Sequence, residues 1–173
     1  RHAVTNEGGI DVGSAIGWGR GPDGVRGMPK TEPMDRQDIF GADCDILVSA
    51  GVQHQIGIEA AERVRATILA EAASSPTHTE ANAVLADRGV TVIPDILCTA
   101  GGFVVAYFEW VQDMQAFFWR EEEVNAELDR HMDDAFAGVL AMSESHGVDL
   151  RGAAMMVAVQ RVAEATTRRG LYP

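Results

Sequence analysis

The chain has 173 residues, 46% apolar and 23% charged, enough for one domain with its own core and the balance of an ordinary soluble globular protein. Its 26 acidic against 14 basic side chains leave a net charge of −12, which argues against a nucleic-acid partner because phosphate binding needs a basic stripe. No apolar run approaches the roughly 20 residues that cross a bilayer, so no membrane partner is expected, and no signal-peptide pattern is present. Residues 2–5 read as the tail of a strand that ends at Asn6-Glu7-Gly8-Gly9. Because the chain opens on Arg1 within that pattern, the expectation is the back part of a longer protein. Residues 10–38, dense in Gly, Pro and charge, read as a long surface excursion. Residues 44–49 read as a buried strand, 57–65 as a helix, and 66–70 as a second buried strand. Pro76 is placed in the first turn of a helix that runs to Asp87 and is closed by Gly89. Residues 90–93 form a third buried strand, stopped by Pro94.

The stretch Pro94-Asp95-Ile96-Leu97-Cys98-Thr99-Ala100-Gly101-Gly102 reads as a strand end and a tight Gly-Gly turn, followed by an aromatic-rich helix over 103–118. Glu121, Glu122 and Glu123 place negative charge at the start of a long helix, where the dipole favours it. Val124, Leu128, Met132, Phe136 and Leu140 recur every four positions and predict an inward-facing stripe. Gly147 ends that helix. A last helix runs over 150–169, with Arg168 and Arg169 at its negative end and Gly170 as the stop. Strands that alternate with helices and read as solid apolar runs indicate an α/β fold with a parallel sheet.

Ligands of such sheets bind at the carboxyl edge, so the strand-to-helix junctions are the candidate sites. At the first junction Glu7 has the acidity to accept ribose hydroxyls, a role Asn6 fills less well; the alternative is an ordinary polar turn. The second, Ser49 to Ile56, combines small residues with the donors and acceptors of Gln53, His54 and Gln55. At the third, Ser74 or Ser75 either contacts a ligand or caps the following helix. The fourth is Cys98-Thr99-Ala100-Gly101-Gly102, alternatively a plain helix entry.

Other features read as structural. Gly17-Trp18-Gly19-Arg20-Gly21 lacks the G-x-G-x-x-G spacing and reads as a loose insertion. His131, Asp133 and Asp134 read as solvated helix residues, and Phe117, Phe118 and Trp119 as core or interface packing. Cys44 and Cys98 read as small buried apolar groups, which suits a reducing, cytoplasmic location. The five histidines are scattered and no Cys-x-x-Cys occurs, so no metal site is expected.

Taken together, Asp43-Cys44-Asp45-Ile46-Leu47-Val48, Pro76-Thr77 with Glu80-Ala81, Pro94-Asp95-Ile96-Leu97, Ala100-Gly101-Gly102 and Tyr107-Phe108-Glu109-Trp110-Val111-Gln112 resemble the glutamate/leucine/phenylalanine/valine dehydrogenases. Glu121-Glu122-Glu123-Val124-Asn125 and Val148-Asp149-Leu150-Arg151 also fit, and the Phe-Glu-Trp wording is most like the glutamate branch. The resemblance implies an incomplete Rossmann-like parallel sheet over residues 1–100, without its first strand and Gly-rich turn, followed by C-terminal helices over 101–173.

It also implies interconversion of an L-amino acid and its 2-oxo acid with NAD or NADP. The partners it implies are small molecules, with a homo-oligomer as the intact protein. Carried onto this chain, the cofactor positions are Asn6, Glu7, Ala50, Gly51, His54, Ser74 and Thr99, and the substrate positions Phe103 and Ala106. The family's catalytic Lys and Asp fall upstream of Arg1, so no catalytic residue is assigned here and the chain alone is expected to be inactive.

Family members usually carry Asn at the positions of His54, Ser74 and Thr99, and Pro at Ser49. Phe103 and Ala106 replace a small apolar residue and a Ser of glutamate enzymes, which favours an apolar or small amino acid. Two readings stay open: a part of an amino-acid dehydrogenase, or a degenerate module kept for assembly or ligand sensing.

Overall fold

The computed structural model describes residues 3–170. Three short parallel strands form the centre: β3 (Ile46–Val48), β4 (Ile68–Ala70) and β5 (Thr91–Ile93), in that order. Ile46 lies opposite Ile68 and Ile68 opposite Thr91, so the strands end level with one another. The connections are helices α2 (Ile58–Arg63) and α3 (Thr79–Asp87). Ile56, Ala61, Val64, Ala66, Leu69, Ala81 and Leu85 pack between helices and sheet as one core. The apolar runs of β3 to β5 thus produce the expected parallel α/β arrangement.

The burial of these strands is uneven. Leu69 of β4 is fully buried, but Ile46 and Val48 of β3 are each 57% exposed. The run at 44–49 is therefore an edge strand, half-covered among the described residues, and not the buried strand its composition indicates.

Several expectations are corrected. Strand β1 (Ala3–Thr5) pairs antiparallel with β2 (Glu32–Met34), outside the parallel sheet. The Asn6 amide donates to the Lys30 carbonyl at 2.8 Å and ties the two strand ends together. His2, read as part of this strand, lies outside the described residues. The excursion at 10–38 contains β2 and a helix, α1 (Val12–Gly19), so Gly17, Trp18 and Gly19 are helical rather than loose. Asp11 nucleates that helix by accepting the Ser14 N–H at 2.7 Å.

Helix α3 begins at Thr79, with His78 at its N-cap position. Pro76 is buried in the extended segment before it, where Thr77 bridges Ile56, and Ser74 and Ser75 lie too early to cap the helix.

The segment after β5 departs most from its sequence reading. The strand stops at Ile93, Pro94 caps a single turn, α4 (Asp95–Cys98), and α5 (Ala100–Gln115) follows after Thr99 alone. Gly101 and Gly102 therefore lie inside a helix and make no turn. At Gly101 an added methyl would reach Leu128 and Met132 at 3.5 and 3.7 Å, so this glycine permits close helix packing. Ala116, in the left-handed region at φ 51°, ends α5 before residue 118.

Helices α6 (Glu121–His146) and α7 (Leu150–Arg169) match their sequence reading. The Glu123 carboxylate accepts the Arg120 N–H at 2.8 Å, and Gly147 and Gly170 end the two helices at positive φ. The inward stripe of α6 does not hold along its length. Val124, Leu128 and Met132 are half-buried, whereas Phe136 and Leu140 are exposed. A four-residue step overshoots a 3.6-residue turn, so the stripe rotates away from its partner. Val139, Ala135 and Met142 take over and build a second core with Leu97, Ala153 and Ala154.

Phe117 and Phe118 are exposed, while Trp119 stacks obliquely on Phe108 at 5.3 Å. His131 lies edge-on to Phe108 at 5.4 Å while its side chain stays 41% exposed, so it packs on one side and keeps solvent on the other. Cys44 and Cys98 are free and only half-buried. No helix among the described residues is long and apolar enough to cross a membrane.

Candidate active site at the carboxyl edge of the sheet

Because the three strands end level, Ser49, Glu71 and Pro94-Asp95 line up at one edge. Beyond β3 the chain turns through Ala50 and Gly51 to His54, which adopts φ 55°. With Asp35, Gln37, Phe40, Gln53 and Gln55, these residues line a cleft of about 810 Å³. Ser49 also lines it, and its hydroxyl is buried without a hydrogen-bond partner. The Gln55 side-chain oxygen packs over Gly51, where a methyl group would lie 2.5 Å from it, so a larger residue at 51 would displace the Gln55 side chain.

Hydrogen bonds connect this cleft to the next two junctions. The His54 N–H donates to the Ser75 carbonyl at 2.9 Å. Ser75 also has a positive φ, 45°, and its own N–H donates to the Asp95 carboxylate at 2.8 Å. The Asp95 carbonyl in turn accepts the Thr99 N–H at 2.9 Å and the Thr99 hydroxyl at 2.8 Å. The structure thus brings together His54, Ser75 and Thr99 in one bonded chain, with Ser74 next to it. Phe103 and Ala106 follow Thr99 on the first turns of α5, and both are exposed.

Asn6 lies elsewhere. With Gly8, Asp11, Trp18 and Lys30 it lines a separate cleft of about 550 Å³, and Glu7 is exposed beside it. Its side chain is partly engaged: the oxygen accepts the Gly8 N–H at 2.8 Å and one amide N–H reaches the Lys30 carbonyl, which leaves a second donor and a second lone pair.

An ionic cluster underlies the edge. Arg151 of α7 donates to Glu71 at 2.5 Å and to Asp95 at 3.0 Å, and Glu71 also accepts the Asp95 N–H at 3.0 Å. Burial pushes the Asp95 carboxyl up, but the N–H groups of Ser75 and Ile96 and the Arg151 guanidinium outweigh it and hold the group below the ordinary carboxylate range. Burial likewise works against the Arg151 charge, and Glu71 and Asp95 more than restore it. Burial raises the Cys98 thiol, with the Glu71 and Asp95 charges adding to it, so this cysteine is an unreactive neighbour. Asp95, Glu71 and Arg151 escaped the residue-level reading. The available signal was an acidic residue directly after the proline that stops β5.

The family model for "Glutamate/Leucine/Phenylalanine/Valine dehydrogenase" matches residues 1–170. The chain belongs to this dehydrogenase family. It is 42% identical over its full length to a glutamate dehydrogenase of Thermotoga maritima, of which it covers 42%. It is also 42% identical over 139 residues, 80% of the chain, to an NAD-specific glutamate dehydrogenase of Staphylococcus aureus, of which it covers 34%. Among solved structures, the hetero-hexameric glutamate dehydrogenase of Thermus thermophilus in a leucine-bound form superposes with a TM-score of 0.87 at 31% identity, over 96% of this chain and 39% of that one. The chain therefore spans about two fifths of the length of these relatives. Its parallel sheet and C-terminal helices are the fold of these glutamate dehydrogenase neighbours.

The residues at the edge fit a nicotinamide cofactor in part. The cleft volume suits a bound ring and ribose, and the unpartnered Ser49 hydroxyl offers a polar contact within it. The Thr99 hydroxyl lies 2.8 Å from the Asp95 carbonyl; with its proton turned there it accepts from a carboxamide, and donating to a ligand would require giving up that bond.

Proposed function

We propose that the chain is the nucleotide-binding part of an NAD(P)-dependent amino-acid dehydrogenase that interconverts an L-amino acid and its 2-oxo acid. The observation that carries this reading is the bonded chain from His54 through Ser75 and Asp95 to Thr99, which gathers three separated junctions at one sheet edge. Ala50, Gly51, His54, Ser74 and Thr99 would hold the nicotinamide half, and Asn6 and Glu7 the adenosine ribose. The bound cofactor supplies hydride transfer; these residues orient it. Glu7 repels a 2′-phosphate and leans the site toward NAD, while the neighbouring Asn6 leaves NADP open. Residues 1–100 act as the dinucleotide domain and 101–173 as its helical cover, within a cytoplasmic homo-oligomer.

For the substrate we favour an apolar amino acid. Phe103 narrows the first turn of α5, and Ala106 offers no hydroxyl for a side-chain carboxylate. The competing reading is a non-catalytic, ligand-sensing module. Ser74 and Thr99 favour it, because both are shorter than the Asn usual in the family and Thr99 would have to give up its bond to the Asp95 carbonyl to donate to a ligand.

The test titrates the intact protein with NADH and NADPH and then measures turnover of leucine, valine, phenylalanine and glutamate. Binding of either nucleotide with faster turnover of the apolar amino acids is expected. Faster turnover of glutamate would remove the pocket argument, and binding without turnover of any amino acid would favour the sensing module.

A further inference from the structure

Asp95 joins both sides of the candidate dinucleotide edge. One carboxylate oxygen accepts the Ser75 N–H at 2.8 Å, and the other accepts the Ile96 N–H at 2.9 Å and Arg151 at 3.0 Å. Its carbonyl takes both donors of Thr99. Ser75 sits at φ 45°, where a residue with a side chain stays only if its surroundings over-determine it. Here they do: Asp95 holds its N–H and the His54 N–H holds its carbonyl. Arg151 comes from 56 residues further along the chain and anchors Asp95 together with the fully buried Glu71.

We propose that Asp95 is a positioning residue for the dinucleotide: it holds the Ser75 turn in its left-handed form and so fixes Ser74 relative to Thr99, with Arg151 holding Asp95 in place. This role rests on the dinucleotide site proposed above. It makes α7, remote from the cleft in sequence, part of what shapes the cofactor edge.

The test is equilibrium titration of the intact protein with NADH and NADPH, with circular dichroism to verify folding. Asp95→Ala removes a charge-assisted acceptor and is expected to raise the Kd about tenfold. Asp95→Asn keeps an acceptor oxygen for Ser75 and is expected to raise it only about threefold. The decisive measurement is rescue. Glycine holds a positive φ without help, so Ser75→Gly in the Asp95→Ala background is expected to recover most of the lost affinity. Loss of a merely structural ion pair would not respond to the residue at position 75.

A Kd for Asp95→Ala within about twofold of the unsubstituted protein overturns the positioning role, because the loss of this hydrogen bond predicts a larger change. A Ser75→Gly change that leaves the defect untouched overturns it equally. If Asp95→Ala does not fold, Asp95→Asn and its Ser75→Gly double variant carry the same comparison. An unsubstituted protein that binds neither nucleotide overturns both this role and the reading beneath it. Normal binding that is indifferent to both Asp95 variants overturns the role alone.

Discussion

Ala116 carries a side chain where the backbone favours none. Its φ of 51° ends α5, and its N–H still reaches the Asp113 and Gln112 carbonyls. The left-handed conformation costs an L-residue about 1–2 kcal/mol, and glycine avoids that cost while losing about 0.5–1 kcal/mol of chain entropy. Ala116→Gly in the intact protein is therefore expected to stabilise by up to about 1 kcal/mol, read as a higher Tm in a thermal melt. An unchanged or lower Tm would show that the helix end is not strained. The same physics limits what single residues disclose in a sequence. Gly89, Gly147 and Gly170 announce their positive φ, and each was legible as a stop. His54 and Ser75 adopt such angles because the bonds around them demand it, and no property of His or Ser signals those bonds. The candidate positions were proposed from the family wording; the network that links His54, Ser75, Asp95 and Thr99 left no mark in it.

At the scale of elements, the bounds of α6 and α7 were legible because terminal charge and glycine stops agreed, although the apolar stripe read for α6 holds only over its first half. The segment after β5 was misread because a Gly pair usually punctuates a turn, whereas here Gly101 makes room for Leu128 and Met132 of the neighbouring helix. What locks that segment to the sheet is Asp95 at the start of α4, bound to Arg151 of α7. Its folded carboxyl titrates below its unfolded value of 3.8. Protons therefore bind the unfolded chain more readily, so the stability Asp95 adds is complete above 3.8 and is lost as pH falls through the lower folded value. Asp95→Asn is expected to lower Tm at neutral pH and to flatten the acid limb of the Tm-versus-pH curve below about pH 4. Parallel acid limbs for the two proteins would show that other carboxylates dominate.

For the whole molecule, the distribution of apolar surface is decisive. On α5, Phe103, Tyr107, Trp110 and Met114 recur at the spacing of one helix face, and all four are more than half exposed. Only Phe108 of that helix is buried. Met155, Val159 and Val162 repeat this outward pattern on α7, and Ile46 and Val48 leave edge strand β3 half-covered. Sequence patterning shows that a stripe exists but not whether this chain covers it; of the core or interface packing read for Phe117 and Phe118, their exposure rules out the core of this chain alone. Contiguous apolar patches of this kind drive association in water. The 173-residue chain produced by itself is expected to sediment above the monomer and to bind a hydrophobic dye such as ANS. A Trp110→Lys, Met114→Lys double variant should shift sedimentation toward the monomer without loss of helical signal, because neither side chain belongs to a core. Sedimentation velocity and far-ultraviolet circular dichroism together check this. A monodisperse monomer that ignores the dye would mean that these stripes tolerate solvent, and the association would then have no physical basis in α5.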